Sequence, residues 1–145
     1  MPILWLVLVV LVFSGGLTMQ SHGRAQAAAE FSTVDTLSRS LLVYRSAAAE
    51  FARMHPAFVG TPTDAVLNLP GWFRKPVGIS SVVTGGRSYT YYPDGPGGLL
   101  DALMTATESD QVGVKRSGLL ISPRSASTGV ALPAAIPEGA IVALN

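Results

Sequence analysis

Seventeen consecutive residues, Ile3 to Met19, carry no charge. The first eleven of them, Ile3, Leu4, Trp5, Leu6, Val7, Leu8, Val9, Val10, Leu11, Val12 and Phe13, are unbroken hydrophobics. As a helix, a run of that length rises about 26 Å, just short of the roughly 30 Å hydrocarbon layer of a bilayer. It is also long for the core of a signal peptide, and the charged region that normally precedes such a core is missing. Ser14, Gly15 and Gly16 supply small residues for a cleavage site, and Ala25-Gln26-Ala27 has the A-x-A form farther along. A retained single-pass anchor over residues 1–20 is the preferred reading, with a cleaved signal as the alternative. A buried helix of a soluble domain is disfavoured, because the remainder of the chain is too small to enclose it.

The charges near this segment point two ways. Arg24 and Arg39 come after it and no Lys or Arg precedes it, which by the positive-inside rule places the rest of the chain in the cytoplasm. Glu30 and Asp35 dilute that signal, and an apolar segment at the extreme N-terminus usually exports the domain behind it. The expectation is an inner-membrane protein with a periplasmic C-terminal domain.

Gly15-Gly16 and His22-Gly23 interrupt helix continuity, so residues 21–30 read as a linker and 31–145 as one soluble domain. From Ala27 to about Met54 the pattern is helical. Phe31, Val34, Leu37, Leu41, Tyr44, Ala48 and Phe51 recur at steps of three and four and form one apolar stripe. Ser32 and Asp35 have capping-box spacing. Arg39, Arg45, Glu50 and Arg53 fall between the stripe positions, as solvated residues do, and Pro56 ends the element. The chain offers too few heptads for a coiled coil.

Beyond Pro56 the chain turns to loops and short strands. Asp64 to Leu69 allows one helical turn, and Leu69-Pro70-Gly71 turns into Trp72-Phe73. Gly78–Thr84 and Arg87–Tyr92 are rich in β-branched and aromatic residues, with Gly85-Gly86 as a hairpin turn. Pro93 to Gly98 is a loop, and Leu99 to Thr107 reads as a helix with Leu99, Leu100, Leu103 and Met104 on one side. Gln111–Lys115 and Leu119–Ser122 form a second hairpin, and Ala140–Leu144, after a Pro-containing loop, is the last strand. The fold class is α+β: a transmembrane helix, then one long amphipathic helix packed on a mostly antiparallel sheet.

Composition and motifs exclude much chemistry. Ten basic and nine acidic residues nearly cancel, so no nucleic-acid surface is expected. With no cysteine there is no disulfide, iron–sulfur or thiolate-zinc site. His22 and His55 lack the spacing of a metal pair, and His55 reads as a helix C-terminal residue set against the dipole. No G-x-S-x-G elbow is present, and Gly95-x-Gly97-Gly98 lacks the downstream Lys-Ser/Thr of a phosphate cradle. Asp94 and Asp101 read as surface acids. No cofactor and no small-molecule substrate are expected. Two aromatic clusters stand above background: Trp72-Phe73 beside Arg74 and Lys75, and Tyr89, Tyr91 and Tyr92, with Tyr92 opposite the other two. Such groups are either core or partner-contact surface, where aromatics and Arg are enriched.

Several segments together carry a family likeness. They are the apolar N-terminus, Tyr44-x-x-Ala47-Ala48-x-x-Phe51, His55-Pro56-x-Phe58-x-Gly60, Leu67-x-Leu69-Pro70-x-Trp72-Phe73, Tyr91-Tyr92-Pro93, and the closing Ile136-Pro137-Glu138-Gly139-Ala140-Ile141-Val142. In this layout the chain resembles the small PilM proteins of thin (type IVb) pilus systems on conjugative plasmids. It is too short for the actin-like ATPase that shares the name. The resemblance implies a pilin-like fold and a non-catalytic inner-membrane component of the pilus assembly apparatus, supporting pilin export or the basal body. Its partners would be other pilus assembly proteins or pilin. A pilin-like or pseudopilin fibre subunit is the alternative, although the chain lacks a prepilin-peptidase site and a cysteine pair. A secreted binding module, released by signal cleavage, is a third.

Overall fold

Two hairpins and one late strand organise the sheet, seen in a computed structural model that describes residues 32–145. The apolar run Ile3–Phe13, the linker at 21–30 and Phe31 lie outside the described residues, and the expected anchor falls there with them. Among the described residues no helix is long and apolar enough to cross a membrane. Val34–Asn145 form one compact unit.

Residues 32–54 are helical (α1). The stripe holds: Leu37, Leu41, Tyr44, Ala48 and Phe51 are buried. At its end the His55 amide bonds the Phe51 carbonyl at 3.0 Å before Pro56 stops the helix. Arg45 departs from expectation. Its Nε donates to the Leu144 carbonyl at 2.7 Å, so it pins α1 to the sheet instead of standing in solvent. Burial lowers its pKa from the ordinary value.

Strands β1 (Ser80–Thr84), β2 (Arg87–Tyr92), β3 (Val112–Arg116), β4 (Leu119–Ser122), β5 (Ala126–Ala131) and β6 (Ile141–Leu144) form one sheet in the order β1-β2-β6-β3-β4-β5. Every pairing between them is antiparallel. Helix α2 (Leu99–Thr107) has the bounds the sequence predicts, and the expected turn at Asp64 is a 3₁₀ turn over Asp64–Val66. The hairpins close on Gly85-Gly86 (φ 58° and 75°) and Ser117-Gly118 (φ 51° and 77°). Two successive positive φ angles give the turn whose twist suits paired strands.

Strand β5 is absent from the sequence reading, which leaves 123–139 as loop. Its residues, Ala-Ser-Thr-Gly-Val-Ala, are small and mostly exposed because β5 is an edge strand paired on one side only. Its pairing with β4 shifts register between Leu119 and Ile121. There Thr128 Oγ1 donates to the Leu120 carbonyl at 2.9 Å, satisfying an acceptor near the irregularity.

Period-two alternation divides the core in two. On one face Ile79, Val83, Val112, Ile141 and Ala143 meet α1 and α2. On the other, Val82, Tyr89, Val142 and Leu144 are covered by Leu132, Ile136 and Ala140, so the segment between β5 and β6 takes the place of a helix. Lys115, only 4 % exposed, ties that segment down. Its Nζ donates to the carbonyls of Ile136 (2.7 Å) and Pro133 (3.0 Å) and stands 3.9 Å from Glu138 Oε1. The Glu138 carboxylate in turn accepts the amides of Ser117 (2.9 Å) and Gly118 (3.0 Å). The closing Pro-Glu-Gly thereby docks onto the β3–β4 turn.

Candidate functional site

The loop between the 3₁₀ turn and β1 gathers the most distinctive side chains. Pro70 suits the first corner of a turn, and the Phe73 amide closes it on the Pro70 carbonyl at 2.9 Å. This geometry sends the two adjacent aromatics in opposite directions. Phe73 is 8 % exposed and joins the core under α1, whereas Trp72 is 73 % exposed. Their rings meet edge-on, 6.3 Å apart at 75°. Arg74 Nη1 donates to the carbonyls of Phe73 (3.2 Å) and Gly71 (3.3 Å), which fixes the loop from within.

A charged tie holds the loop to α1. Tyr44 donates its hydroxyl to Asp64 Oδ1 at 3.0 Å. Lys75 Nζ bonds the same oxygen at 3.2 Å, lies 3.1 Å from Oδ2, and sits 5.5 Å from the Tyr44 ring centroid. Burial first, and then the hydrogen bond to Asp64, push the Tyr44 pKa well above its ordinary value. A phenol held so firmly protonated is a poor base or nucleophile at neutral pH. The cluster is suited to positioning the loop.

The other predicted residues disperse. Tyr89 is buried and packs with the core on the face away from α1, joined by the partly buried Tyr91, and Tyr92 packs on the α1 side. The expected contact surface is corrected accordingly. Phe73 and Tyr89 spend their rings in the core, Tyr91 and Tyr92 lie half-buried in the sheet, and Trp72 alone of the five stands out. His55 stacks on Phe51 with centroids 4.3 Å apart and its Nδ1 lies 3.1 Å from the Phe51 carbonyl, at the helix end as expected. Asp94 and Asp101 are exposed. Among the described residues no group of three or more His, Asp or Glu could hold a metal. A shallow cleft of about 560 Å³ opens on the sheet face away from the helices, between Thr128 and Val130 of β5, Leu144 and Arg87. The sequence reading set Lys75 beside the aromatics and Asp64 in a helical turn but missed their bridge, and it missed the role of Lys115, because these depend on partners far away in the chain.

The PilM family matches residues 8–144, nearly the whole chain. The chain belongs to the PilM family. It is similar to the crystal structure of a pilM protein from Pseudomonas aeruginosa 2192, at 50 % identity over 77 % of this chain and 94 % of that one, with a TM-score of 0.52. A PilM protein from Escherichia coli B7A, at 24 % identity, shares the fold, with a TM-score of 0.61 over 79 % of this chain and 93 % of that one. No curated protein matches the sequence.

Proposed function

We propose that this PilM-family protein is a non-catalytic inner-membrane component of a type IVb (thin) pilus assembly apparatus, supporting pilin export or the basal body. The observation that carries the reading is family membership over residues 8–144. Two features support it. The uncharged run Ile3–Met19 suits an anchor for a periplasmic domain, and Trp72 is presented on a loop braced from within by Arg74 and from below by Phe73. A braced loop carrying an exposed indole suits a contact surface, because little freedom is lost on binding.

The packing of α1 on an antiparallel sheet also favours a second reading, a pilin-like fibre subunit. Fractionation of a piliated host separates the two. Pili are sheared off, and shed fibres and inner membranes are blotted for this protein. Recovery in the membrane alone supports the assembly role. Recovery in fibres in proportion to pilin replaces it with the fibre-subunit role, and release into the soluble periplasm overturns both.

A further inference from the structure

We infer that the Trp72–Val77 loop is a membrane-contact element, seated in the headgroup region of an anionic bilayer; this rests on the anchored function proposed above. Side-chain chemistry points there first. Trp72 is 73 % exposed, Val77 93 % and, across the Lys75–Asp64 bridge, Val66 55 %. Large apolar side chains that protrude from a loop, instead of lining a groove, are suited to entering a soft apolar medium. Tryptophan is the residue enriched at membrane interfaces.

Charge points the same way. The chain as a whole is nearly neutral, yet the segment from Ala65 to Gly78 has no acidic residue, while Arg74 and Lys75 are basic. Asp64 already pairs with Lys75, and Arg74 is held by carbonyls of its own loop. Among the described residues no carboxylate pairs with Arg74, so the loop offers a cationic guanidinium next to an indole, the pairing that phosphate headgroups and the acyl boundary favour.

The loop also has a definite place along α1. The β1–β2 turn lies under the end of α1, since a Cβ on Gly86 would come within 3.9 Å of Pro56 and 4.0 Å of the Ala52 carbonyl. Nearer the middle of α1, Arg45 reaches Leu144, which pairs with Tyr89. Continuing along β2, Tyr92 falls nearer the early turns of α1, at about 3.3 Å per residue. A Cβ on Gly78 would meet the Tyr92 ring at 3.0 Å, so the last residue of the loop lies toward those early turns, while Lys75 sits against Tyr44 at the middle of the helix. In the sequence, the apolar run stands before α1. The loop thus runs along α1 from Tyr44, at the middle of the helix, toward its earlier turns.

The chain's two tryptophans, Trp5 and Trp72, provide the test. Full-length protein carrying Trp5→Phe reports Trp72 alone, and protein carrying Trp72→Phe reports Trp5 alone. Each is reconstituted into vesicles of phosphatidylethanolamine and phosphatidylglycerol, with and without brominated acyl chains. The expected result for Trp72 is emission roughly halved by the brominated lipid, with reduced access to aqueous iodide, as for an indole at the interface. The effect should be lost on adding Arg74→Gln and Val77→Asp, and weakened in phosphatidylcholine vesicles. Trp72 that stays open to iodide and unaffected by bromine overturns the inference. Protection that appears only in membranes of the piliated host also overturns it, in favour of a protein partner. Trp5 quenched beside an unquenched Trp72 leaves the anchor standing and removes the loop contact. An unquenched Trp5 removes the anchor, and the loop contact that depends on it falls too.

Discussion

Tyr44 links α1 to the loop through a hydroxyl that is stabilised in its protonated form. Its folded pKa lies above the unfolded value of about 10, so at alkaline pH the folded chain keeps a proton that the unfolded chain releases. The stability this group contributes is complete below about pH 10 and is lost as pH rises beyond it. Tyr44→Phe should cost about 1–2 kcal/mol at neutral pH and flatten this alkaline decline, measured as urea midpoints from neutrality to about pH 11. An unchanged slope in the variant would count against the assignment. Trp72 and Phe73 make a second test. Phe73→Ala should cost about 3–5 kcal/mol, and Trp72→Ala should stay within about 0.5 kcal/mol, by the same denaturation assay. Equal losses would show that the loop does not hold the two rings apart. Little of this is legible in the sequence. Neighbouring aromatics in a loop obey no period that says which points inward, and the Tyr44–Asp64 contact spans 20 residues.

Elements whose cause is local are the ones the sequence reveals. Helix α2 has its apolar side at Leu99, Leu103 and Met104, and the two hairpins have Gly85-Gly86 and Ser117-Gly118 at positions that need positive φ. Strand β5 escapes because an edge built of Ala, Ser, Thr and Gly shows no apolar alternation, so only its partner β4 makes it a strand. Gly113 is similarly opaque. In a strand it reads as a weak residue, yet a Cβ there would collide with the Ile121 carbonyl where β4 bends across β3. The obstacle is backbone and cannot rotate away, so Gly113→Ala should destabilise the domain by about 1–3 kcal/mol in chemical denaturation. Glu138→Ala is milder, because the two turn amides it frees are exposed to water. A loss of about 1 kcal/mol is expected, with proteolysis shifting toward the 132–139 segment. Wild-type cleavage there would mean that Lys115 holds the segment unaided.

At the scale of the whole molecule, the sheet order places strands late in the sequence at its centre and leaves β1 and β5 at its edges. Amide exchange should track that order, slowest at Val142 and Ala143 and fastest along β5. A flat profile across the strands would argue against a single cooperative sheet. The order has a further consequence for biosynthesis. Strand β6 joins the β1–β2 hairpin to β3, and it is the last of the six strands to leave the ribosome. Until residues 141–144 arrive, the β1–β2 hairpin and the β3–β4–β5 group have no strand to join them. The β1–β2 hairpin and the β3–β4–β5 group can each pair on their own, but the six-stranded sheet closes only once its keystone strand has been made.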